Sequence, residues 1–504
     1  MSRDRNDESF ASAANNEVAV QLSGIRVRLQ DEPVLCTDLD GTLIKSDLLW
    51  ECILLLLKTK PLWLLLVPYW LLQGKAKLKE QLAVRSGLKP TNLPYRDEVV
   101  AFLKSERASG RRLVLVTASN RRLAQSVADH LGIFDEVYGS DGKENLKGKI
   151  KARRLNQIFG ANGFVYIGDS EADLEVWRAA KAGLVVGGED LLECAARVTE
   201  IRGTFPRSEP SLQTWIQALR GHHWFKNLLL FVPLALAHKL TLYNLLLTSI
   251  GFVLFGICAS GVYILNDLLD LHSDRGHPWK NRRPFAAGEI SIPQGLLIAV
   301  IFLFGAIGAA LLLSPKFGWT LCLYAFLTIW YSVSLKKIVL LDVFVLSSFY
   351  GVRLLAGALI TAIPLSQWFL VFSVFFFLSL AMAKRYSELV HAEHLVKSGQ
   401  SGRGYIGNDR EVLMALGVAS SFAAVVILSL YVQSKEVWLL YRWPAPLLLL
   451  CPMILYWLSR VWLKAHRGDL QDDPITLAMR DPVSYAVGAA AALAIALSMF
   501  RLGF

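Results

Sequence analysis

Asn266, Asp267, Asp270 and Asp274 place an amide and three carboxylates at the end of one apolar run. Positions 266, 270 and 274 are four apart, so on a continuous helix each advances about 40° around the axis, and Asp267 falls inside the same arc of roughly 100°. Carboxylates crowded in this way repel one another unless a cation sits among them, and hard oxygen donors suit Mg2+ shared with substrate phosphates. Lys280, Arg282 and Arg283 follow within His277-Pro278-Trp279-Lys280-Asn281-Arg282-Arg283-Pro284. Carboxylates that hold a metal, facing cations, are what a diphosphate leaving group requires. Solvated charges at a helix end are the plainer alternative, but they leave the three cations unexplained.

A second constellation lies in the first half of the chain. Asp38, Thr117 and Asp169 each follow closely on an apolar run: Val34-Leu35-Cys36-Thr37, Arg112-Leu113-Val114-Leu115-Val116 and Gly163-Phe164-Val165-Tyr166-Ile167. A further run, Gly183-Leu184-Val185-Val186, alternates with helical stretches as the others do. That alternation predicts a parallel sheet covered by helices, which sets the polar residues along one edge. In an open α/β sheet ligands bind in the crevice outside the carboxyl ends of the strands.

Composition separates the two halves. The chain has 504 residues, 54% of them hydrophobic, with a mean hydropathy of +0.40. Charge interrupts residues 1–220 every few positions, whereas from about Asn227 long apolar runs alternate with short polar loops. Residues 201–220, with Arg202-Gly203-Thr204-Phe205-Pro206-Arg207-Ser208-Glu209-Pro210, read as a linker, and residues 1–30 as a disordered tail without the apolar centre of a signal peptide. This leaves a domain over 31–200 and a membrane bundle over 221–504. Nine stretches have spanning length, near 227–246, 248–267, 293–313, 316–334, 339–361, 365–383, 411–432, 446–463 and 484–502. The first is the weakest, because His238-Lys239 interrupts it. With the N-terminal domain in the cytoplasm, fourteen Lys and Arg fall in inside loops, and only Lys239, Lys316, Lys435, Arg442 and Arg501 lie outside. That asymmetry satisfies the positive-inside rule and puts both constellations on the cytoplasmic face of the inner membrane.

The net charge of +11 clusters beside spans, with no basic helix to read bases, so nucleic acid is excluded in favour of anionic headgroups and phosphorylated substrates. The six cysteines have no metal spacing and read as reduced packing residues. A homo-oligomer is left open.

Between Asp47 and Gly110 the soluble half carries an insertion in which Leu48–Leu57 and Pro61–Leu72 are strongly apolar, each about half of spanning length. Two readings stand. One is a helical cap, about 47–110, packing its apolar side on the core. The other is a cap lying in the membrane interface, anchored by Trp50, Trp63, Tyr69 and Trp70, that receives a lipid-linked substrate.

Residues 30–200 resemble the haloacid dehalogenase superfamily. The resemblance rests on Asp38-Leu39-Asp40-Gly41-Thr42, on the strand ending in Thr117, on Lys151 in Asn145-Leu146-Lys147-Gly148-Lys149-Ile150-Lys151, and on Gly168-Asp169-Ser170-Glu171-Ala172-Asp173. Lys147 and Lys149 compete with Lys151 for the basic position. The resemblance implies an α/β Rossmann-like phosphatase domain working through an aspartyl-phosphate. Asp38 would be the nucleophile and Asp40 the general acid and base. Lys151 and the Thr117 hydroxyl would neutralise phosphoryl oxygens. Mg2+ would be held by Asp38, Asp169 and the Asp40 carbonyl, supported by Asp173. A residual binding or folding role remains the alternative to an active site.

Residues 215–504 resemble the UbiA-type intramembrane prenyltransferase superfamily, through the NDxxDxxxD pattern at 266–274. Within it, the resemblance is to decaprenyl-phosphate phosphoribosyltransferases. It rests on Asp274 to Gly288, Trp224-Phe225-Lys226-Asn227, Tyr331-Ser332-Val333-Ser334-Leu335-Lys336 and Lys384-Arg385-Tyr386-Ser387-Glu388-Leu389. The resemblance implies an all-α bundle of nine transmembrane helices. Asp267, Asp270 and Asp274, assisted by Asn266, would hold Mg2+, and Lys280, Arg282 and Arg283 the phosphates of phosphoribosyl diphosphate. Lys226, Lys384 and Arg385 would take the polyprenyl phosphate or the donor 5-phosphate, with Tyr331 and Lys336 as further candidates at the edge of the spans. Where aromatic prenyltransferases carry a second Asp-rich motif, this chain has Lys384-Arg385-Tyr386-Ser387-Glu388, which favours more phosphate groups. The joint expectation is a lipid-linked ribose for cell-envelope glycan synthesis, made by transfer and then dephosphorylation. The alternatives are prenylation of an aromatic or other small acceptor beside an independent phosphatase, and a membrane assembly protein with a degenerate phosphatase as docking module.

Overall fold

The computed structural model describes residues 33–207, 209–395, 404–470 and 474–499. The tail expected at 1–30 lies outside them. The chain forms two compact units. Among the described residues, the first holds those from residue 33 to Glu209 together with two later segments, His272–Arg282 and Ala286–Ser291; the second holds Pro210–Leu271, Arg283–Phe285 and those from Ile292 onward.

The first unit is built on a six-stranded parallel sheet in the order β3-β2-β1-β4-β5-β6. The strands are β1 (Val34–Thr37), β2 (Leu113–Asn120), β3 (Glu136–Ser140), β4 (Phe164–Gly168), β5 (Ala182–Gly187) and β6 (Ile201–Pro206). The four apolar runs read from the sequence are β1, β2, β4 and β5, the four inner strands. Cys36 of β1 stands in register with Val114 on one side and Tyr166 on the other. Buried on both faces, such strands read as continuous apolar runs. One apolar layer gathers Leu35, Leu115, Val165 and Ile167 with Val99 and Leu103. The opposite layer gathers Cys36, Val114, Tyr166 and Trp177. The linker expected from residue 201 begins later, because Ile201–Pro206 pairs with β5 as an edge strand.

The insertion is helical: Leu48–Thr59, the paired short turns Pro61–Leu66 and Val67–Leu72, Lys75–Ser86 and Asp97–Ala108. Asp47 starts the first of these by accepting a hydrogen bond from the Leu49 N–H at 2.7 Å. Its own small core of Cys52, Leu56, Trp70, Leu78 and Leu82 holds the cap helices together.

The second unit is helical. Among the described residues, seven helices are long and apolar enough to cross a membrane: Leu242–Leu269, Ile292–Leu313, Leu341–Thr361, Gln367–His391, Asp409–Val432, Ala445–His466 and Pro482–Met499. This marks a multi-pass membrane protein. Of the other two stretches read from sequence, 316–334 is a helix, Pro315–Val333, whose Lys316 and aromatic residues dilute its apolar character. The stretch 227–246 is broken into Gly221–Phe231, Val232–Leu236 and the start of Leu242–Leu269, with a left-handed turn at His238 (φ 52°) where the sequence reading is weakest. Small residues let these helices approach closely: a Cβ at Gly357 would stand 2.1 Å from the Leu230 carbonyl oxygen. Arg353 faces the bundle interior, donating to Asn227 Oδ1, Phe349 O and Tyr324 Oη at 3.0, 2.7 and 3.1 Å.

Candidate functional site

In the first unit the chain runs from β1 outward through β2 to β3 and then returns to β4 on the other side of β1, so the strand order reverses between β1 and β4. Ligands bind at such a switch point. Asp38 follows β1 there, and its backbone N–H donates to Ile167 O of β4 at 3.0 Å. Asp38 Oδ1 accepts from the Leu39 N–H at 2.7 Å and Oδ2 from Lys151 Nζ at 2.7 Å, which fixes both oxygens. Of the three competing lysines, Lys151 is therefore the one at Asp38, carried inward by the helix Lys149–Phe159 and buried to 1% exposure.

Lys151 also donates to Tyr166 Oη at 2.7 Å and lies 3.4 Å from Asp173 Oδ1, to which Tyr166 donates at 2.8 Å. Asp173 Oδ2 is taken up by Ser170, through its N–H and its hydroxyl. Asp38, Asp169 and Asp173 each offer an oxygen within 4.8 Å of the others. That is the chemistry of a hard-cation site, so the residues fit Mg2+. Gly41 (φ 75°) makes the crowding possible, since a Cβ there would stand 1.9 Å from Asp169 Oδ2. Burial, then repulsion by Asp38 and Asp173, pushes the Asp169 carboxyl up to about 7. Burial, reinforced by Asp47, pushes Asp40 up to about 8, so its carboxyl keeps a proton at neutral pH. The Leu48 N–H and the Ser119 hydroxyl orient it. Thr117 is fully buried at the end of the same crevice, where its hydroxyl oxygen accepts from the Ser119 N–H at 3.0 Å.

In the second unit the helix Leu242–Leu269 carries Asn266 and Asp267 and stops just before Asp270. The continuous helix expected through 274 is not formed: Asp270 N–H still reaches Asn266 O at 2.9 Å, but Asp274 sits on a separate turn, Leu271–Arg275. The carboxylates of this unit are matched by cations. Asp267, 4% exposed, pairs with Arg220 and with Arg283, the latter at 3.2 Å. Asp270 pairs with Lys336 at 3.0 Å. Asn266 Oδ1 is buried without a hydrogen-bond partner among the described residues, an oxygen suited to a cation. Arg385, 1% exposed, pairs with Asp342 at 2.8 Å and with Glu388, while Tyr405 donates to Asp342. Lys226 lies over the Tyr350 ring, 5.7 Å from its centroid. Tyr331 Oη is buried and finds no hydrogen-bond partner among the described residues.

The sequence profile of the UbiA prenyltransferase family matches residues 228–480, half of the chain. The chain belongs to that family. Residues 35–178 of this UbiA-family member match the haloacid dehalogenase-like hydrolase profile, so its N-terminal part is a haloacid dehalogenase-like domain. The chain is 39% identical over 472 residues, 93% of its length and 91% of the other, to the uncharacterized protein y4nM of Sinorhizobium fredii. It is 37% identical to nodulation protein NoeC of Azorhizobium caulinodans, over 53% of this chain and 87% of that one. It is 36% identical to the decaprenyl-phosphate phosphoribosyltransferase of Mycobacterium tuberculosis, over 35% of this chain and 61% of that protein.

Several site residues escape a reading of this UbiA-family sequence alone. Tyr166 looks like core on a buried strand, and Arg220 closes a short helix at the end of the expected linker. Lys79, on the cap helix Lys75–Ser86, donates to Ala118 O at 2.6 Å beside Asn145. Asp274 belongs to the first unit, with Lys280 and Arg282 on the short turn that follows. There Arg275 makes two bonds to the fully buried Glu51, at 2.8 and 3.0 Å, and further bonds to Asn92 O and Ala286 O. His272 Nε2 stands 3.4 Å from the same carboxylate. Glu51→Gln removes the charge from this paired fork and is expected to cost about 2 kcal/mol. A thermal unfolding series on the purified protein checks it, and an unchanged midpoint would show that Glu51 does not hold the segment.

Proposed function

We propose that the chain is a bifunctional enzyme of the bacterial inner membrane. It transfers 5-phosphoribose from phosphoribosyl diphosphate to a polyprenyl phosphate and then removes the 5-phosphate, giving lipid-linked ribose for envelope glycan synthesis. The observation that carries this reading is the pairing, in one chain, of the Asp38–Lys151 constellation with a bundle similar to a decaprenyl-phosphate phosphoribosyltransferase. The product of such a transfer still bears a phosphate monoester, the substrate class that an aspartyl-phosphate mechanism takes. Nine transmembrane helices would result if Pro315–Val333 and the broken segment 221–236 cross with the seven long ones. The phosphatase domain and both constellations would then face the cytoplasm.

In the transfer, an oxygen of the lipid phosphate forms a bond to the anomeric carbon as the bond from that carbon to diphosphate breaks. The acceptor is anionic at neutral pH, so no base is required. Asp267 and Asp270, with Asn266, would hold Mg2+, which supplies charge neutralisation for the departing diphosphate. Arg283 and Lys336, already opposite carboxylates, and Lys226, Lys384 and Arg385 supply the cations for the phosphates. An apolar cavity of about 390 Å3, lined by Leu229, Val232, Leu354, Phe369, Phe376 and Trp457 among others, suits part of a polyprenyl chain.

In the second reaction Asp38 attacks phosphorus and the ester oxygen leaves with the proton of Asp40. Asp40 then takes a proton from the water that opens the acyl phosphate. Lys151, held by Tyr166 and Asp173, meets the phosphoryl oxygens. Mg2+ at Asp38 and Asp169 would be bound in competition with protons. Because the ion-free Asp169 is raised to about 7, ion binding expels a proton, and affinity is expected to climb as pH rises through about 7. Calorimetric Mg2+ titrations in two buffers of different ionisation enthalpy measure the released proton, and a pH-independent affinity would remove Asp169 from the ligand set.

The test of the whole reading is incubation of the detergent-purified protein with Mg2+, radiolabelled phosphoribosyl diphosphate and a polyprenyl phosphate, followed by mass analysis of the lipid extract. Ribosyl lipid is expected. An unlabelled extract would overturn the phosphoribosyl reading and direct attention to prenyl diphosphates.

A further inference from the structure

We infer that the cap turns Pro61–Leu72 form a docking surface for an anionic lipid bilayer, seated in its interfacial layer. Most of the apolar residues of Pro61–Leu72 are not used in packing. The inner side of the insertion is satisfied by Cys52, Leu56, Trp70, Leu78 and Leu82, yet Leu62, Leu65 and Leu72 stand 78%, 76% and 88% exposed on the same short segment, with Tyr69 at 58%. Isolated exposed leucines are ordinary on a protein surface, but a contiguous set on twelve residues of which ten are Leu, Trp, Tyr or Val marks a contact.

Three observations identify the occupant as a bilayer surface. The segment is apolar but too short to cross. Its flanks are basic: Lys58 and Lys60 precede it and Lys75 follows it, and residues 52–79 hold no Asp or Glu. An apolar face rimmed by lysines complements acyl chains below anionic headgroups. Trp63, 38% exposed, has the Arg85 guanidinium 4.5 Å from its ring, an arrangement in which ring and cation both suit the headgroup layer, whereas Trp70, expected as a further anchor, is buried at 4% beneath it, the two rings 6.5 Å apart. The chain also carries its own tether, since only a few residues separate the end of β6 at Pro206 from the first helix of the membrane unit at Leu212.

Docking by the cap, whose Lys79 bonds Ala118 O next to Thr117, would present lipid-borne phosphate esters to Asp38. This consequence rests on the proposed phosphatase; the docking itself does not. The test uses the full chain with Cys194, Cys322 and Cys451 replaced by Ser, since Cys36, Cys52 and Cys258 are buried. A spin label is placed in turn at Leu65, at Leu72 and, as control, at the exposed Lys104, and the protein is reconstituted into vesicles containing phosphatidylglycerol. Oxygen is expected to relax the labels at 65 and 72 more than a water-soluble nickel chelate does, with the reverse at 104. Labels at 65 and 72 that behave like 104 overturn the proposal. Labels shielded from both reagents until diluted with unlabelled protein overturn it in favour of a second copy of the chain.

A second readout is the Leu62→Ser, Leu65→Ser, Leu72→Ser variant. Its dephosphorylation of a lipid phosphate ester in vesicles should fall about tenfold, with turnover of p-nitrophenyl phosphate unchanged. Equal loss on both substrates would overturn the delivery role. If the parent protein hydrolyses neither ester, the proposed function fails while the label depths still decide the docking.

Discussion

Asp38→Asn is expected to lower phosphate release by at least about a thousandfold while leaving transfer of label to lipid intact. A carboxamide cannot form the acyl phosphate, yet it has the size of the carboxylate and keeps an oxygen that can accept from the Leu39 N–H, as Oδ1 does at 2.7 Å. Lys151 would lose its bond to Asp38 but keep Tyr166 at 2.7 Å and Asp173 at 3.4 Å, so the ammonium is not stranded in the core. Burial pushes the Asp38 carboxyl up and Lys151 works against it, which makes the neutral side chain easy to accommodate. The variant should therefore fold and accumulate 5-phosphoribosyl lipid where the parent protein yields ribosyl lipid. Mass analysis of the two extracts reads both results at once. Phosphate release at the parental rate would mean that another nucleophile does the work.

The contrast between the two units shows what sequence can reveal. Inner strands β1, β2, β4 and β5 were legible because both faces are buried, so their residues are continuously apolar, and the polar residue at the end of β1, β2 and β4 stands out. The edge strands were not: Glu136–Ser140 is only partly buried at three of its five positions, Ile201–Pro206 has no fully buried position, and the two carry Gly, Ser and Pro, the marks of a loop. Asp38 and Asp169 declared themselves at the ends of apolar runs and Asp40 through the family resemblance, whereas the choice among Lys147, Lys149 and Lys151 needed the start of the helix at Lys149, which sets which ammonium points inward. Tyr166 could not be found at all, since a tyrosine on a buried strand differs from core only in where its hydroxyl lies.

In the membrane unit the acidic motif was legible and its counter-charges were only partly so. Lys336 was a candidate by its place at a span edge, and Arg283 by its basic neighbours. Arg220, more than forty positions before Asp267, gave no local signal. Arg385 was read as a phosphate ligand from its loop, but the structure adds that it is already committed to Asp342 and Glu388, partners that sequence spacing does not connect beyond the helical step to Glu388. The span count was hardest where apolar length and continuity part company, at the broken segment before Thr241.

Asp267→Asn is expected to abolish transfer to within about a hundredth of the parental rate and to leave hydrolysis of a soluble phosphate ester unchanged. Asp267 is buried and faces Arg220 and Arg283 together, so it sets the charge balance of the end of the helix Leu242–Leu269. Removing its charge leaves two guanidiniums opposed across a neutral amide, and breaking a buried ion pair from one side costs about 3–5 kcal/mol. A loss of this size would follow whether Asp267 acts on the donor directly or by holding Arg283 in place, and a second substitution separates these roles. If Asp267 only restrains the arginines, Arg220→Ala in the Asp267→Asn background relieves the repulsion and restores a large part of the rate. If it is a ligand of the ion that neutralises diphosphate, the double variant stays inactive and the concentration of Mg2+ needed for half-maximal transfer rises in the single variant. Full transfer by Asp267→Asn at ordinary Mg2+ would remove this carboxylate from the site altogether.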